Sequence, residues 1–373
     1  MEYRSIGKKL IVLLFICINA GLFAMAEQEV PESGGAFEST DMRGRTVSVP
    51  EKIDSIVALE AGALRLISYL DAVDKVIAVE DQGHGREKTE NNFFSLATYR
   101  LAYPGLRDLP SIGSAENHEG IIAADPDIII SSTVDVGELD QLQSVLGIPV
   151  FAVNADVELY DPEQFYHQLR SLGKVLDKSN RAEKLIEGIS AALTDIESRA
   201  ARLESPKRAY AGGMMFYGPA DLLRTTGDYL PFDLTGTDNV MPSNPANNRQ
   251  PYMTSLEDLI AAAPDYAFID AANVNLSKSG FMQHQKVLEE QVPAFGNRQV
   301  YTTLVYKYYG TNWENQLINV YYIGKVLYPQ LYSDVDIKKK AEEMWKLFFN
   351  VHLDYNSVIS HQKAGLGRVD WFN

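Results

Sequence analysis

The chain repeats one segment of itself, and that repeat limits the folds open to it. Residues 118–130 read His-Glu-Gly-Ile-Ile-Ala-Ala-Asp-Pro-Asp-Ile-Ile-Ile, and residues 256–269 read Leu-Glu-Asp-Leu-Ile-Ala-Ala-Ala-Pro-Asp-Tyr-Ala-Phe-Ile. Each copy carries a glutamate (Glu119, Glu257), an Ile-Ala-Ala stretch, a Pro-Asp pair after it, and an apolar run. The physics of each copy is a short helix stopped ahead of a proline that cannot continue it, followed by a buried strand. Copies 138 residues apart are spaced too widely for a solenoid, and they predict two similar α/β lobes.

Other strands fit that plan. Ser55–Leu59, Val76–Val79 and Pro149–Val153 are short apolar runs separated by helical patterns; Arg208–Gly212, Tyr266–Asp270 and Gln299–Thr302 take the same part in the second half. Such alternation argues for mainly parallel, Rossmann-like sheets covered on both faces. Between the halves, Asp161 can cap a helix that has Pro162 at its first position and Gln164 three residues after the cap. A break is expected near Asp177-Lys178-Ser179. Beyond it Ala182, Leu185, Ile186, Ile189, Leu193, Ile196, Ala200 and Leu203 form a clean helical stripe. A helix over 179–203 is about 37 Å long at 1.5 Å per residue. The reading is therefore an N-terminal α/β lobe over 44–161, a helical connector over 162–205 and a C-terminal α/β lobe over 206–373. The long helix joins them as a strut, which should limit how far the lobes can hinge.

The N-terminus carries an export signal pattern. Arg4, Lys8 and Lys9 precede an apolar run from Leu10 that ends in Ala24-Met25-Ala26. A basic start, an apolar middle and a small-x-small end predict a signal peptide over residues 1–26, with 27–43 as a flexible leader. The sole cysteine, Cys17, lies inside this segment; Ile16 ahead of it is bulky where a lipid-acceptor site wants a small residue, so no lipid anchor is expected there. A net charge of −16 disfavours nucleic acid and anionic lipid surfaces as partners.

Catalytic signatures are missing from the sequence. The six histidines include no pair at zinc-helix spacing, and there is no phosphate loop or Gly-x-Ser-x-Gly elbow. The second half instead offers aromatics near predicted loops, among them Tyr217, Tyr306 and Tyr308 at strand ends. Such side chains suit a large, partly polar ligand.

These pieces, in order, resemble the class III periplasmic substrate-binding proteins of ABC importers for iron-siderophores, haem and cobalamin. The resemblance spans essentially all of the chain after residue 26. It begins with Asp41-Met42-Arg43-Gly44-Arg45-Thr46-Val47-Ser48-Val49-Pro50, similar to the family's opening hairpin. It continues through residues 53–70, through Pro110-Ser111-Ile112-Gly113, and through the two repeat copies. Its most specific part is Thr311-Asn312-Trp313-Glu314 followed by residues 319–329.

The resemblance implies a non-enzymatic exported receptor, placed in the periplasm or on the outer face of the cytoplasmic membrane. Such a receptor captures an iron complex or related metal chelate in a cleft between its lobes and delivers it to a permease and its ATPase. It implies no resident cofactor and a monomer. It also implies one docking glutamate at the tip of each lobe, and the matching positions are Glu119 and Glu257. Strand C-termini open on the crevice in α/β sheets. The expected cleft residues are therefore Glu60, Glu80 and His84, with Tyr99 and Arg100 from the 81–111 loop, and Tyr217, Arg224, Tyr306 and Tyr308 from the other lobe. Arg224 can grip a carboxylate or oxyanion bidentately; Glu60 can instead simply pair with Arg65. Tyrosines can also ligate ferric or haem iron directly. The alternatives are a molybdate or tungstate receptor on the same fold, and an extracellular enzyme or chelatase using Glu80 and His84 as its base.

Overall fold

The computed structural model describes residues 35–80, 97–157, 161–216, 218, 220–244, 250–308, 310–362 and 364–372. Residues 1–26, expected to be a signal peptide, with Cys17, and the cleft candidates His84 and Tyr217, lie outside the described residues.

The leader is shorter than the sequence suggested. Ala36–Thr40 forms strand β1, which pairs antiparallel with β2 (Thr46–Pro50) in full register from Ala36↔Pro50 to Thr40↔Thr46. Asp41 holds the turn: its carboxylate accepts the N–H groups of Arg43 and Arg45 and pairs with the Arg45 guanidinium. These local bonds order residues that composition alone marks as polar leader.

The N-terminal sheet contains β3 (Ile56–Leu59), β4 (Val76–Val79), β5 (Ile128–Ser131) and β6 (Val150–Ala152), all parallel in the order β4-β3-β5-β6. Its helices are α1 (Glu60–Tyr69), α2 (Thr98–Ala102), α3 (His118–Ala124) and α4 (Val136–Leu146). The connector is α5 (Pro162–Val175) and α6 (Ser179–Ala200). Asp161 caps α5 as expected, accepting the Gln164 N–H at 3.1 Å. The break falls where it was predicted, with Asp177 at φ 56°.

The C-terminal half adds β7 (Arg208–Gly212), β8 (Arg224–Thr225), α7 (Leu230–Thr235), β9 (Asp238–Asn239), β10 (Tyr252–Met253), α8 (Leu256–Ala262) and β11 (Tyr266–Asp270). It continues with α9 (Val274–Gln291), α10 (Pro293–Gly296), β12 (Val300–Thr303), α11 (Trp313–Leu327), α12 (Ile337–Phe349), α13 (Tyr355–His361) and β13 (Gly367–Arg368). The sheet order is β10-β8-β7-β11-β12-β13, with β9 on β7; the β7, β11 and β12 centre is parallel.

The repeat is structural. Helices α3 and α8 are each seven residues long, capped by the side chains of Asn117 and Ser255. Each ends on a left-handed residue, Asp125 at φ 52° and Ala263 at φ 43°. After the proline, Asp127 N–H bonds Ser55 O and Asp265 N–H bonds Arg208 O, both at 3.0 Å. The following strand then lies parallel beside the first strand of its sheet, β5 on β3 and β11 on β7.

Strand periodicity explains how the halves are joined. Ile56, Ala58, Ile128 and Ile130 on one face, with Ala209, Ala211 and Phe268 from the other sheet, belong to one continuous core with α1, α5, α6, α11, α12 and α13. The intervening residues face away: Val57, Leu59 and Ile129 pack under α3 and α4, and Tyr210, Ala267 and Ile269 pack under α8, α9 and α10. Arg181 near the start of α6 donates to the carbonyls of Tyr69, Leu347 and Phe348, while Arg199 near its end pairs with Asp195 and Asp334. The strut is thus pinned at both ends, and a shared core limits lobe motion further.

Candidate functional site

The C-terminal ends of the two sheets meet, and the carboxylate candidates lie at that junction. Glu60 follows β3 directly and opens α1 with φ 66°, a left-handed conformation that a Cβ disfavours. Its carboxylate accepts from Ser132 Oγ at 2.6 Å and Thr133 Oγ1 at 3.1 Å, just beyond β5. Its N–H donates to Glu80 Oε2 at 2.7 Å, just beyond β4. The structure therefore brings Glu60 and Glu80 together, and the simple Glu60–Arg65 pair is not formed. A helix-borne arginine five residues on points elsewhere.

Arg65 is that arginine, 1% exposed, and it reaches across to the other lobe. Its Nη2 donates to the Tyr308 carbonyl at 2.6 Å. Tyr308 N–H in turn bonds Gly310 O, and Gly310 sits at φ 103°. A Cβ at Gly310 would fall 2.6 Å from Arg65 Nη1 and 3.4 Å from the Ala155 Cβ, so glycine alone closes this junction without displacement. Lys307 pairs with Asp156 at 2.8 Å, and Trp313 Nε1 donates to Val157 O at 2.8 Å. Three contacts thus clasp the loop after β12 and the start of α11 to α1 and to the loop after β6.

Other sequence candidates separate into neighbours and outliers. Tyr99 and Arg100 lie on α2, both about 1% exposed, with Arg100 Nε donating to the Tyr99 hydroxyl at 2.9 Å. The Arg65 and Arg100 guanidinium carbons each stand 5.4 Å from the Tyr99 ring centroid. Tyr306 is buried, with its ring edge-on to Tyr229 and its N–H on Asp270 Oδ2 at 3.0 Å. Tyr308 is half-buried and offers its carbonyl to Arg65. Arg224 lies on β8, donating to the carbonyls of Phe216 and Gly218. Glu119 and Glu257 are exposed in the first turns of α3 and α8.

Sequence reasoning passed over Ser132, Thr133, Asp156, Lys307 and Gly310, which become neighbours of the site only through folding. Glu314 had a signal, since it ends the Thr-Asn-Trp-Glu motif, but no role. It is 1% exposed at the start of α11 and accepts from the Tyr69 hydroxyl of α1. Burial pushes its carboxyl above the usual range, with the Tyr69 bond and Arg65 opposing. Glu80 is also raised by burial, against the N–H groups of Glu60 and Ala115.

These shifts have a definite sign. A carboxyl raised in the folded state binds more protons folded than unfolded, so stability falls as pH rises from the ordinary 4.5 through the raised value. Replacing Glu314 with glutamine removes one such group. Denaturant unfolding at pH 4.5 and pH 7.5 should show a smaller loss on raising pH in Glu314→Gln than in the parent; an equal or larger loss would refute the shift.

The fold and the family follow from comparison. The molybdate-binding protein MolA of Haemophilus influenzae is 22% identical over 372 residues, covering 91% of this chain and 97% of that protein. Its solved structure bound to molybdate has a TM-score of 0.66 at 18% identity, covering 85% of this chain and 99% of that one. A periplasmic solute-binding protein of Veillonella parvula gives the same TM-score and identity, with 88% and 97% covered. Helicobacter pylori CeuE with Ni(II) bound gives 0.61 at 17%, with 87% and 99% covered. At these identities the structures establish the two-lobed α/β fold. The periplasmic binding protein model matches residues 56–304, which includes both copies of the internal repeat and the strand ends where Glu60 and Glu80 meet; the chain belongs to the periplasmic binding protein family.

Proposed function

We propose that this chain is the exported solute receptor of an ABC importer, holding a metal-containing cargo between its lobes and presenting it to the permease through Glu119 and Glu257. The observation that carries this reading is the matched pair of frames. Two exposed glutamates sit in the first turns of two seven-residue helices, and each helix is locked by the same cap, left-handed stop and Pro-Asp link to a central strand. Helix capping alone would not require two copies held so alike. A two-sided partner with basic side chains would, because charged rim pairs set register and association rate.

The cleft supports binding over chemistry. Glu80, the general base the sequence nominated, has its carboxylate engaged by the Glu60 N–H. Two cargo classes divide the reading: a ferric chelate, as the family resemblance suggests, and a small oxyanion such as molybdate or tungstate. The oxyanion is favoured by one observation, the pair of buried guanidiniums, Arg65 and Arg100, at the Tyr99 ring beside the lobe junction. Fixed guanidinium donors suit a dianion, as they suit carboxylate and phosphate. The relative MolA adds to this, since it binds molybdate.

A thermal-shift panel of molybdate, tungstate, ferric hydroxamate and catecholate chelates, haem and cobalamin separates them. Cargo at a hundred times its dissociation constant adds about 2.7 kcal/mol, a shift of several degrees. Stabilisation by molybdate or tungstate alone is the expected result. Stabilisation by one ferric chelate alone would replace the oxyanion with the chelate, and silence across the panel would overturn both cargo classes.

A further inference from the structure

Hydrogen bonds run from the floor of the cleft to the helix that carries Glu119. The Glu60 N–H is held by Glu80 Oε2 at 2.7 Å, and Leu59 ahead of it supplies no side-chain cap. One residue before Glu80, Val79 donates its N–H to Pro110 O at 3.1 Å and accepts from Ile112 N–H at 2.9 Å. The Ile112 carbonyl accepts from Asn117 Nδ2 at 2.6 Å, and Asn117 Oδ1 caps α3 by accepting the Gly120 N–H at 3.1 Å. Every step from the Glu60 amide to the first turn of α3 is therefore a covalent link or a hydrogen bond.

A second connection runs through space. The Glu60 carboxylate holds Thr133, and Thr133 lines a cavity of about 320 Å³ together with Ala115, Glu116 and His118 of the segment leading into α3. The depression opens to solvent, so no packed side chain holds that segment from this side. The left-handed backbone at Glu60 adds a conformation that its surroundings must enforce. A strained residue, held by two sets of bonds beside a solvent-open depression, is the kind of element that has two arrangements.

We propose that Glu80 is a positioning residue that couples cargo in the cleft to helix α3. Cargo that draws the Glu60 carboxylate off Ser132 and Thr133 frees the Glu60 backbone to relax. Glu80 follows the amide it holds, and the segment 110–117 carries Glu119 with it. The link is energetic as well as spatial, because cargo shifts the equilibrium only through its different contacts with the two arrangements. This inference rests on α3 being a docking helix, as proposed above, but the coupling is measurable with no permease present.

The test is hydrogen–deuterium exchange on the full chain, comparing the segment 110–124 with the segment 250–263 around α8 as internal reference. Glu60→Gln should speed exchange in 110–124 about fivefold, and Glu80→Gln by a similar factor, a size typical of local coupling. The double variant should exchange no faster than Glu80→Gln alone, because the message has one carrier. A merely structural role for each residue would instead multiply the two effects. Wild-type exchange in 110–124 of Glu60→Gln, or multiplied effects in the double variant, would overturn the proposal. If Glu60→Gln loosens the reference segment too, Thr133→Val removes one donor at constant shape and takes its place under the same two criteria. Loss of uptake in Glu119 variants without this coupling would keep docking and remove the relay. Coupling with fully active Glu119 variants would do the reverse.

Discussion

Trp313→Ala will cost the protein about 4–8 kcal/mol, the largest stability loss expected of a substitution outside the lobe junction's backbone. Trp313 is 0% exposed and opens α11. Its ring stacks on Phe165 of α5 at 4.7 Å and meets the edge of Tyr69 of α1 at 5.8 Å, while its N–H caps the Val157 carbonyl after β6. One side chain thus touches the first lobe, the connector and the second lobe. Truncation leaves a cavity worth about 3–5 kcal/mol, and the orphaned carbonyl adds about 1–3 kcal/mol. Trp313→Phe keeps most of the stacking and loses only the bond, so it should show the smaller of these two terms. Calorimetry of Trp313→Ala should give a single transition displaced downward by roughly 10 °C. Two transitions, with only one displaced, would mean that the lobes fold as separate units and that the shared core does not couple them.

The shared core is also where sequence reading stops. Strand positions were legible because each is a short apolar run bounded by turn residues: Val76–Val79, Arg208–Gly212 and Tyr266–Asp270 appear as expected, and the connector breaks at Asp177. The repeat was legible because a helix stop before proline is a local event. What a helix face touches 100 or 200 residues away is not local. Arg65 looked like a surface partner for Glu60, yet it is buried against a carbonyl 243 positions distant. Tyr306, expected at a strand end facing the cleft, is buried with its ring edge-on to Tyr229, a contact the sequence does not show. Neither arrangement is local: Arg65 on α1 meets the loop after β12 through the clasp, where Gly310 takes a positive φ, and Tyr306 meets the Tyr229 ring ahead of α7. A glycine in a sequence marks a turn without naming what lies over it.

Charge reversal at both glutamates proposed to dock the permease, Glu119→Lys with Glu257→Lys, should abolish uptake of cargo while leaving cargo affinity within about twofold, since a factor of two is under 0.5 kcal/mol. Neither side chain touches Glu60 or Glu80, and a charge change on the exposed first turn leaves the Asn117 bonds that join α3 to Ile112 in place, so cargo affinity should change little. Each carboxylate contributes at most about 0.3–1 kcal/mol to its helix through the dipole, so folding should survive both changes. The permease should feel them fully, because opposed charges become like charges at a rim that sets register. Either single variant should lower uptake about tenfold or more, which needs only 1.4 kcal/mol of lost docking. The two effects should compound, because the two frames are held in separate lobes by Asn117 and Ser255 and share no partner. Glu290→Lys, an exposed reversal on α9, makes the same change in net charge as either single variant outside these frames and should leave uptake intact. Wild-type uptake by the double variant would remove Glu119 and Glu257 from the docking surface and leave the duplicated frames as a feature of folding alone. Loss of uptake in Glu290→Lys as well would assign the effect to overall charge. Loss confined to the two frames would identify the repeat as the part of this chain that meets the membrane.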